Sequence, residues 1–283
     1  MKSPLVSVIV TTRNNHETLE ACLKSISAQT YSPIEIIVVD NNSTDDTKEI
    51  AQRFTPHVFN KGPERSAQRN FAFTKSSGDY LLIIDSDMEL GSGVVASCVL
   101  VAMNDQRIGG VVIPEESFGV GFWAQCKRLE RSFYVGQDAI EAARFFTRDA
   151  FEKSGGYSEE MTGGEDWDLS RRVAAFAQIG RATDFIRHNE GRLYFGKTAR
   201  KMYYYAQHAV EYFAKNPTQS ALTDQSGPLQ RYKLFFSRPG KLLRNPVIGA
   251  GMLILKTTEY ASGGLGYYRA KRAMRGQTAE DAS

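Results

Sequence analysis

Short apolar runs alternate with amphipathic segments over the first third of the chain. Leu5–Val10, Ile34–Val39 and Asp79–Ile84 are aliphatic runs without strict alternation, which predicts strands that are buried on both faces. Between them, Glu17–Gln29 has apolar residues at helical spacing, and Ser66–Ser76 is a second predicted helix. This order predicts an α/β fold with a mostly parallel, Rossmann-like sheet and helices on both of its faces.

Polar clusters follow three of these strands. They are Thr11–Asn15 after the first run, Asp40–Asp46 after the second and Asp85–Asp87 after the third. We expect Ser43 or Thr44 to cap the helix that starts near Asp46. Parallel sheets bind their ligands at the carboxyl ends of their strands, so the clusters predict one site at that edge.

The last cluster is the one with recognisable chemistry. Asp85 and Asp87 lie two residues apart, so their carboxylates could hold a divalent cation that in turn holds a diphosphate. Mg²⁺ and Mn²⁺ suit this role because they prefer oxygen ligands and bind phosphates. An isolated Asp-x-Asp is most often a solvated turn. Its position at the end of a buried strand favours the metal site here.

Charge is distributed unevenly along the 283 residues. Residues 1–190 contain 20 Lys/Arg and 27 Asp/Glu, whereas residues 191–275 contain 15 Lys/Arg and 3 Asp/Glu. A basic last third suggests contact with nucleic acid, phosphorylated ligands or anionic lipid. The three cysteines, Cys22, Cys98 and Cys126, form no Cys-x-x-Cys pair and are expected to be reduced, as in the cytoplasm. No apolar run suggests a secretory leader or a membrane span.

Six segments together resemble a known family. The resemblance is carried, in this order, by SVIVTTRN, EIIVVDNNSTDDT, RSAQRNFAF, GDYLLIIDSD, FEKSGGYSE and GGEDWDL. Each is weak alone, but their order over roughly residues 3–205 resembles the inverting family 2 glycosyltransferases. The resemblance implies the A-type glycosyltransferase fold and an enzyme of hexosyltransferase type. We expect a catalytic domain over residues 1–205 and a helical, basic extension over residues 206–283.

The resemblance also implies roles for individual residues. Asp87 is expected to bind Mn²⁺ or Mg²⁺ with Asp85, and His188 to supply a further metal or phosphate contact. The alternatives are that Asp40 only caps its loop and that Arg69 lies on a solvated helix face. The nucleotide-sugar residues would be Thr11, Arg13, Asp40, Arg69, Asp85 and Ser86.

The acidic pair Glu165-Asp166 matches the acceptor side of the family. Inverting transfer needs one base to take the proton of the acceptor hydroxyl, and a carboxylate suits this task. We assign Asp166 as the base and Glu165 as an orienting group, the alternative being that both only charge a helix N-terminus. Trp167 and Arg144 are candidate acceptor contacts, with core packing equally open for Trp167.

The basic tail predicts a partner surface. Gly196–Phe213 mixes cations with tyrosines, and the apolar run Pro246–Leu255 has cations on both sides. A helix at the membrane interface fits this pattern, and a core or dimer-forming helix is the alternative. We therefore expect a cytoplasmic protein, peripheral at the inner face of the cell membrane. By analogy with the family, we expect a polyprenyl-linked or cell-envelope glycan as acceptor, for polysaccharide biosynthesis.

Two other functions are alternatives to glycosyl transfer. An NAD-dependent dehydrogenase needs G-x-G-x-x-G after the first strand, and Thr11–His16 contains no glycine. A non-catalytic nucleotide-sugar or nucleic-acid binding protein would suit the basic tail. The acidic first part would repel phosphates in the absence of metal, so no nucleic-acid partner is expected. A uridine diphosphate sugar is the favoured donor because Thr11, Asp40 and Arg69 resemble pyrimidine pockets.

Overall fold

The computed structural model describes residues 3–161, 163–215 and 227–280. Over these residues the strands are β1 Val6–Thr12, β2 Ile34–Asp40, β3 Val58–Asn60, β4 Tyr80–Asp85, β5 Met88–Leu90, β6 Ile108–Val112, β7 Glu115–Val120, β8 Ala143–Thr147, β9 Gln178–Arg181 and β10 Ile186–Arg192. The helices are α1 His16–Ser27, α2 Thr47–Gln52, α3 Arg65–Lys75, α4 Val94–Asn104, α5 Phe122–Tyr134, α6 Arg148–Lys153, α7 Glu165–Ala174, α8 Phe195–Lys215, α9 Pro228–Ser237, α10 Pro239–Leu243 and α11 Pro246–Glu280.

Seven strands form the main sheet in the order β3-β2-β1-β4-β8-β6-β9. The pairs β2/β3, β1/β2, β1/β4 and β6/β9 are parallel, and β8 runs antiparallel to both of its neighbours. The mostly parallel sheet predicted from the apolar runs is confirmed. The antiparallel direction of β8 was not predicted, because strand direction depends on pairing and not on local pattern.

Both faces of this sheet are buried. Val8 and Val10 belong to an apolar cluster with residues of α1 and α4, whereas Ile9 belongs to a second cluster with residues of α3, α6 and α7. Alternate strand residues point to opposite faces, so an uninterrupted apolar strand needs helices on both sides. The chain has such helices, as the sequence predicted.

The predicted cap of α2 is wrong. The helix begins at Thr47, whose amide donates to Asp45 Oδ1 over 3.2 Å, and the hydroxyl of Ser43 donates to Asp40 instead. Asp45 reaches the first amide because a carboxylate two residues upstream closes an Asx turn. The loop after β2 is thereby held at both ends by aspartates.

Contacts divide the chain into two compact units. Unit 1 comprises residues 1–117, 135–159 and 164–189, and unit 2 comprises residues 118–134, 160–163 and 190–283. Unit 1 contains the seven-stranded sheet. A smaller sheet has the order β5-β10-β7. The apolar run at Pro246 lies in α11, and no helix in the described part of the chain is both long and apolar enough to cross a bilayer.

A ring of four charges, two buried glutamates and two largely buried lysines, joins α5 and α11 within unit 2. Lys127 Nζ lies 2.9 Å from Glu130 and 3.1 Å from Glu259, and Lys256 Nζ lies 2.8 Å and 3.0 Å from the same two carboxylates. The side chain of Glu130 is 1% exposed. Each charge has two opposite neighbours, so the ring is balanced, and removing one member would leave the others uncompensated.

Glu130→Gln is expected to lower the free energy of unfolding at pH 7 by about 3–5 kcal/mol, because two largely buried lysines lose a partner. Burial would raise the pKa of Glu130, but Lys127 and Lys256 outweigh it and hold that pKa well below its usual range. The stabilisation is therefore complete above the unfolded-state pKa of about 4.3 and is lost progressively below it.

Urea unfolding of wild type and variant at several pH values measures this effect. The gap between them should shrink by roughly 1.4 kcal/mol per pH unit below pH 4.3. Asp138→Asn serves as the control, since Asp138 is 94% exposed in its pair with Arg181 and should cost under about 1 kcal/mol. A gap that stays constant on acidification would contradict the prediction.

Candidate active site

The polar ends of three neighbouring strands meet at one edge of the main sheet. The parallel register of β1 places Thr12 opposite Asp40 on β2 and Thr11 opposite Asp85 on β4. The Thr11 hydroxyl donates to Asp85 Oδ1 over 3.3 Å. The edge predicted from the sequence therefore exists, and its polar side chains are neighbours.

Asp40 is buried and holds the loop that follows β2. Its carboxylate accepts hydrogen bonds from the Ser43 amide, over 2.8 Å, and from the Ser43 hydroxyl. These two bonds leave further lone pairs on the carboxylate for a base or ribose. Arg13, by contrast, is exposed in the loop after β1. The nucleotide roles of both residues stay predictions.

Ser86 joins the metal motif to the loop after β1. Its hydroxyl accepts a hydrogen bond from Asn15 Nδ2 over 2.7 Å, and its carbonyl accepts one from the Thr18 hydroxyl over 2.9 Å. The central residue of the Asp-x-Asp motif thus connects the end of β4 to the loop after β1 and to the start of α1.

Arg69 lies at the centre of the candidate site. It is completely buried, and its Nη2 lies 2.9 Å from Asp85 while its Nη1 lies 3.0 Å from Asp166. Nη1 is also 3.4 Å from Glu165. One planar guanidinium therefore links the end of β4 to the start of α7, which is the fork geometry for which arginine is suited. The alternative of a solvated helix face for Arg69 does not apply.

Two more arginines surround these carboxylates. Arg65 Nη2 lies 3.1 Å from Glu165, and Arg144 Nη1 lies 3.9 Å from Asp85 and 3.9 Å from Asp166. Burial alone would raise the pKa of Asp85, but Arg69, Arg144 and Arg65 outweigh it and hold that pKa well below its usual range. These three cations therefore favour the ionised form of Asp85.

Asp166 is held by two different donors. Besides Arg69, the Tyr157 hydroxyl donates to Asp166 Oδ1 over 3.1 Å, and the Arg69 guanidinium lies 4.8 Å from the Tyr157 ring centre. Burial, together with the neighbouring Asp166, raises the pKa of Tyr157 well above its ordinary value, so the phenol stays protonated as a donor. Asp166 itself remains partly exposed, with 23% of its side chain accessible.

Asp87 and His188 form a second group. His188 Nε2 lies 3.2 Å from Asp87 Oδ2, and the Asn189 amide donates to the Asp87 carbonyl over 2.8 Å. β5 begins directly after the Asp-x-Asp motif and pairs antiparallel with β10, in a register that sets His188 opposite Met88. This pairing carries a histidine 101 residues away in sequence to the last aspartate of the motif.

The side chains at Asp87 fit a divalent cation only with help from a ligand. Asp87 Oδ1 is buried without a hydrogen-bond partner among the described residues, which leaves a carboxylate oxygen available. No three His, Cys, Asp or Glu side chains converge on a cation position in the part of the chain that the structure describes. Mg²⁺-type sites commonly combine one or two protein carboxylates with substrate phosphates and water, so Asp87 could hold a cation together with a bound diphosphate.

Both predicted acceptor residues already make hydrogen bonds within the protein. Trp167 Nε1 donates to the Ile140 carbonyl over 2.6 Å, and Arg144 Nε donates to Glu115 over 2.6 Å. Glu115 and Tyr157 are site residues that sequence reasoning missed. Glu115 comes shortly after strand β6, directly behind Pro114, and Tyr157 comes directly after Gly155-Gly156. In the sequence, only these positions after a strand and after a turn could have suggested them as site residues.

Comparisons with known proteins agree with this architecture. The model of glycosyl transferase family 2 matches residues 7–156. A GalNAc(5)-diNAcBac-PP-undecaprenol beta-1,3-glucosyltransferase of Campylobacter jejuni is 26% identical over 209 residues, 68% of this chain and 64% of that enzyme. A PGL/p-HBAD biosynthesis glycosyltransferase of Mycobacterium bovis is 26% identical over 184 residues, 61% of this chain and 70% of its own. The match to the first relative thus covers just under two thirds of its length.

Solved structures show the same fold. The mannosyltransferase PcManGT of Pyrobaculum calidifontis, in complex with GDP-Man and Mn²⁺, has a TM-score of 0.57 at 19% identity, over 92% of this chain and 88% of that one. A crystal structure of S. aureus TarS has a TM-score of 0.51 at 16% identity, over 96% and 91% of the two chains. The A-type glycosyltransferase fold expected from the six motifs is confirmed. With the family model covering more than half of its residues, this chain belongs to glycosyl transferase family 2.

Proposed function

We propose that this protein is a metal-dependent, inverting glycosyltransferase that moves a sugar from a nucleotide diphosphate to a hydroxyl acceptor. One observation carries the proposal: a single buried guanidinium, that of Arg69, contacts both Asp85 of the metal motif and Asp166 of the acceptor helix. A donor diphosphate bound near Asp85 and an acceptor hydroxyl bound near Asp166 would thereby lie within a few ångströms of each other, as direct displacement requires.

The donor side would be built on the ends of β1, β2 and β4. A uridine diphosphate sugar is the favoured donor, contacted by Thr11, Arg13, Asp40, Arg69, Asp85 and Ser86. The carboxylate of Asp40 would accept from a base N–H or a ribose hydroxyl with the lone pairs that Ser43 leaves. The solved structures of similar fold include a GDP-Man complex and a UDP complex, so the preference for uridine rests on Thr11, Asp40 and Arg69 and not on the fold.

A divalent cation, Mn²⁺ or Mg²⁺, would be held by Asp87 together with Asp85 and His188. When bound, it would supply positive charge that stabilises the leaving diphosphate. PcManGT was solved with Mn²⁺, which supports the choice of cation. The contribution of this chain is the pairing of β5 with β10, which brings Asp87 and His188 within 3.2 Å.

The acceptor side would be built on the start of α7. Asp166 would accept the proton of the acceptor hydroxyl as that oxygen attacks the anomeric carbon from the side opposite the diphosphate. Tyr157 and Arg69 occupy Oδ1 and so orient the carboxylate. Glu165, bound between Arg65 and Arg69, would fix those arginines. No covalent enzyme intermediate is needed.

The acceptor is proposed to be a polyprenyl-linked or other cell-envelope glycan. The Campylobacter jejuni relative is named for an undecaprenol diphosphate-linked acceptor, and the basic segment 206–283 would hold this chain at the inner face of the membrane. Trp167 and Arg144 stay candidate contacts for the acceptor glycan. A homo-oligomer, the alternative to membrane contact, would pair the apolar runs Pro246–Leu255 of two copies.

Asp87→Asn tests the donor site directly. A thermal-shift screen of nucleotide sugars with Mn²⁺ should raise the melting temperature of wild type with one donor, and the Mn²⁺-dependent part of that rise should disappear in the variant because one ligand oxygen is lost. Release of nucleotide diphosphate should fall by about 10–100-fold, as for other groups that hold a metal. Glu89→Gln, two residues further along on β5, is the matched control.

An unchanged Mn²⁺ response in Asp87→Asn would remove Asp87 as a metal ligand. The non-catalytic alternative predicts a different pattern, in which the wild type shifts RNA in a salt-dependent manner and shows no stabilisation by any nucleotide sugar. That pattern would replace the proposed enzyme with a nucleic-acid binding protein.

A further inference from the structure

Helix α11 has an inverted distribution of polarity. Residues 246–268 contain two charged side chains, Lys256 and Glu259, and both point into unit 2, where they complete the buried ring. The exposed positions are uncharged instead. Seven of them form what we call the outer stripe: Val247, Ala250, Ile254, Thr257, Ala261, Leu265 and Tyr268.

The outer stripe is narrow and continuous. At 100° per residue, its seven positions fall within about 80° of the helix circumference, and at 1.5 Å per residue they extend over roughly 32 Å. Its larger side chains are well exposed: Val247 is 68%, Ile254 53%, Leu265 48% and Tyr268 63% accessible. An apolar strip of this length on a soluble surface needs a partner.

Close packing fixes the rotation of α11 that exposes this stripe. A Cβ on Gly251 would lie 2.5 Å from Phe122 of α5, and a Cβ on Gly266 would clash with the Tyr203 carbonyl of α8. These glycines therefore face inward together with Lys256 and Glu259. Turning the helix to bury the outer stripe would break the ion ring and both close approaches, so the exposure is built in.

Exposed apolar side chains concentrate in the same unit. Of the 16 large hydrophobic side chains that are exposed in the described part of the chain, 13 belong to unit 2. Unit 2 is the smaller of the two units, so the excess is not a matter of size. Scattered exposed apolar residues need no explanation, whereas this concentration does.

Cations flank the outer stripe at both ends. Arg238, Lys241 and Arg244 precede it and Arg269, Lys271 and Arg272 follow it, all exposed. Residues 227–275 contain ten Lys/Arg and one acidic residue, Glu259, which is buried. A second copy of the chain would bring these like charges together, whereas anionic lipid headgroups would attract them. The charge therefore favours a lipid surface over a dimer.

We infer that the outer stripe of α11 is a membrane-contact surface that lies flat in the headgroup–acyl boundary of an anionic bilayer. Interfacial helices bury an apolar strip about 5–10 Å deep and keep their cations at the headgroups. This inference rests on the proposed membrane contact of the C-terminal segment and names the surface that makes it. The helix lies on the bilayer and does not cross it.

The test compares two double variants of the full chain. Ile254→Glu/Leu265→Glu adds two negative charges to the outer stripe, and Leu100→Glu/Met103→Glu adds the same charge to α4 of unit 1, where the replaced side chains are 60% and 54% exposed. Sedimentation with vesicles of phosphatidylcholine and phosphatidylglycerol should show at least about a 10-fold weaker binding of the stripe variant, from loss of two buried apolar side chains. The α4 variant should bind like wild type.

Each outcome has one meaning. Equal vesicle binding by the stripe variant and wild type would show that the outer stripe is not the contact surface. Absence of vesicle binding by wild type would overturn the membrane contact itself. A wild-type dimer in light scattering that the stripe variant loses, without vesicle binding, would identify a second copy as the partner and overturn the inference. Circular dichroism melting shows that each variant is folded. Stabilisation by a nucleotide sugar tests the proposed enzyme separately, since it should persist in both variants.

Discussion

Asp166→Asn is expected to transfer sugar about 10²–10⁴-fold more slowly than wild type while binding the nucleotide-sugar donor equally well. Asparagine has the shape of aspartate, and its amide oxygen can still accept from Tyr157 and Arg69, which bind Oδ1. It cannot take the proton of the acceptor hydroxyl. The loss should therefore appear in kcat, with the KM for the donor unchanged.

Two companion variants make this result specific. Asp149→Asn changes an exposed aspartate on α6 and should leave transfer unaffected. Glu165→Gln changes the neighbouring carboxylate, which contacts arginines, and should cost less than Asp166→Asn. Full transfer activity in Asp166→Asn would eliminate Asp166 as the base, and an equal loss in Glu165→Gln would leave the assignment between the two.

Arg69→Met is expected to lower the free energy of unfolding by about 3–5 kcal/mol, because three carboxylates around a buried site lose the guanidinium that balances them. The methionine fills a similar length but offers no donor to Asp85, Asp166 or Glu165. The remaining cations, Arg65 and Arg144, contact the same carboxylates and keep the loss from being larger. Urea unfolding measures the change.

The control variant replaces an arginine that is exposed to solvent. Arg107 pairs with Asp105 over 2.7 Å but is 72% exposed, so Arg107→Met should cost under about 1 kcal/mol. Similar destabilisation by the two variants would mean that burial of Arg69 does not matter, which the geometry argues against. Donor binding should also fall in Arg69→Met and remain in Arg107→Met.

The sequence by itself determined the α/β layers and the edge that carries the site. Apolar runs such as Leu5–Val10 cannot be exposed on either face, so helices had to cover both. The polar residues after them, Asp40 and Asp85 among them, had to lie at the carboxyl ends of parallel strands. Local pattern sufficed because the period of burial along a segment is a property of neighbouring residues.

Only the tertiary structure decided which side chains meet. The contact of Arg69 with Asp166 joins residues 97 apart, and that of His188 with Asp87 joins residues 101 apart. Glu115 and Tyr157 entered the site through such long-range packing. The outer stripe of α11 could also not be predicted from the sequence, because the helix does not have apolar residues on its buried face and charged residues on its exposed face. Lys256 and Glu259 of α11 are turned inward by their ion pairs with Lys127 and Glu130 of α5. These contacts, and not the local sequence, decide which face of α11 is exposed.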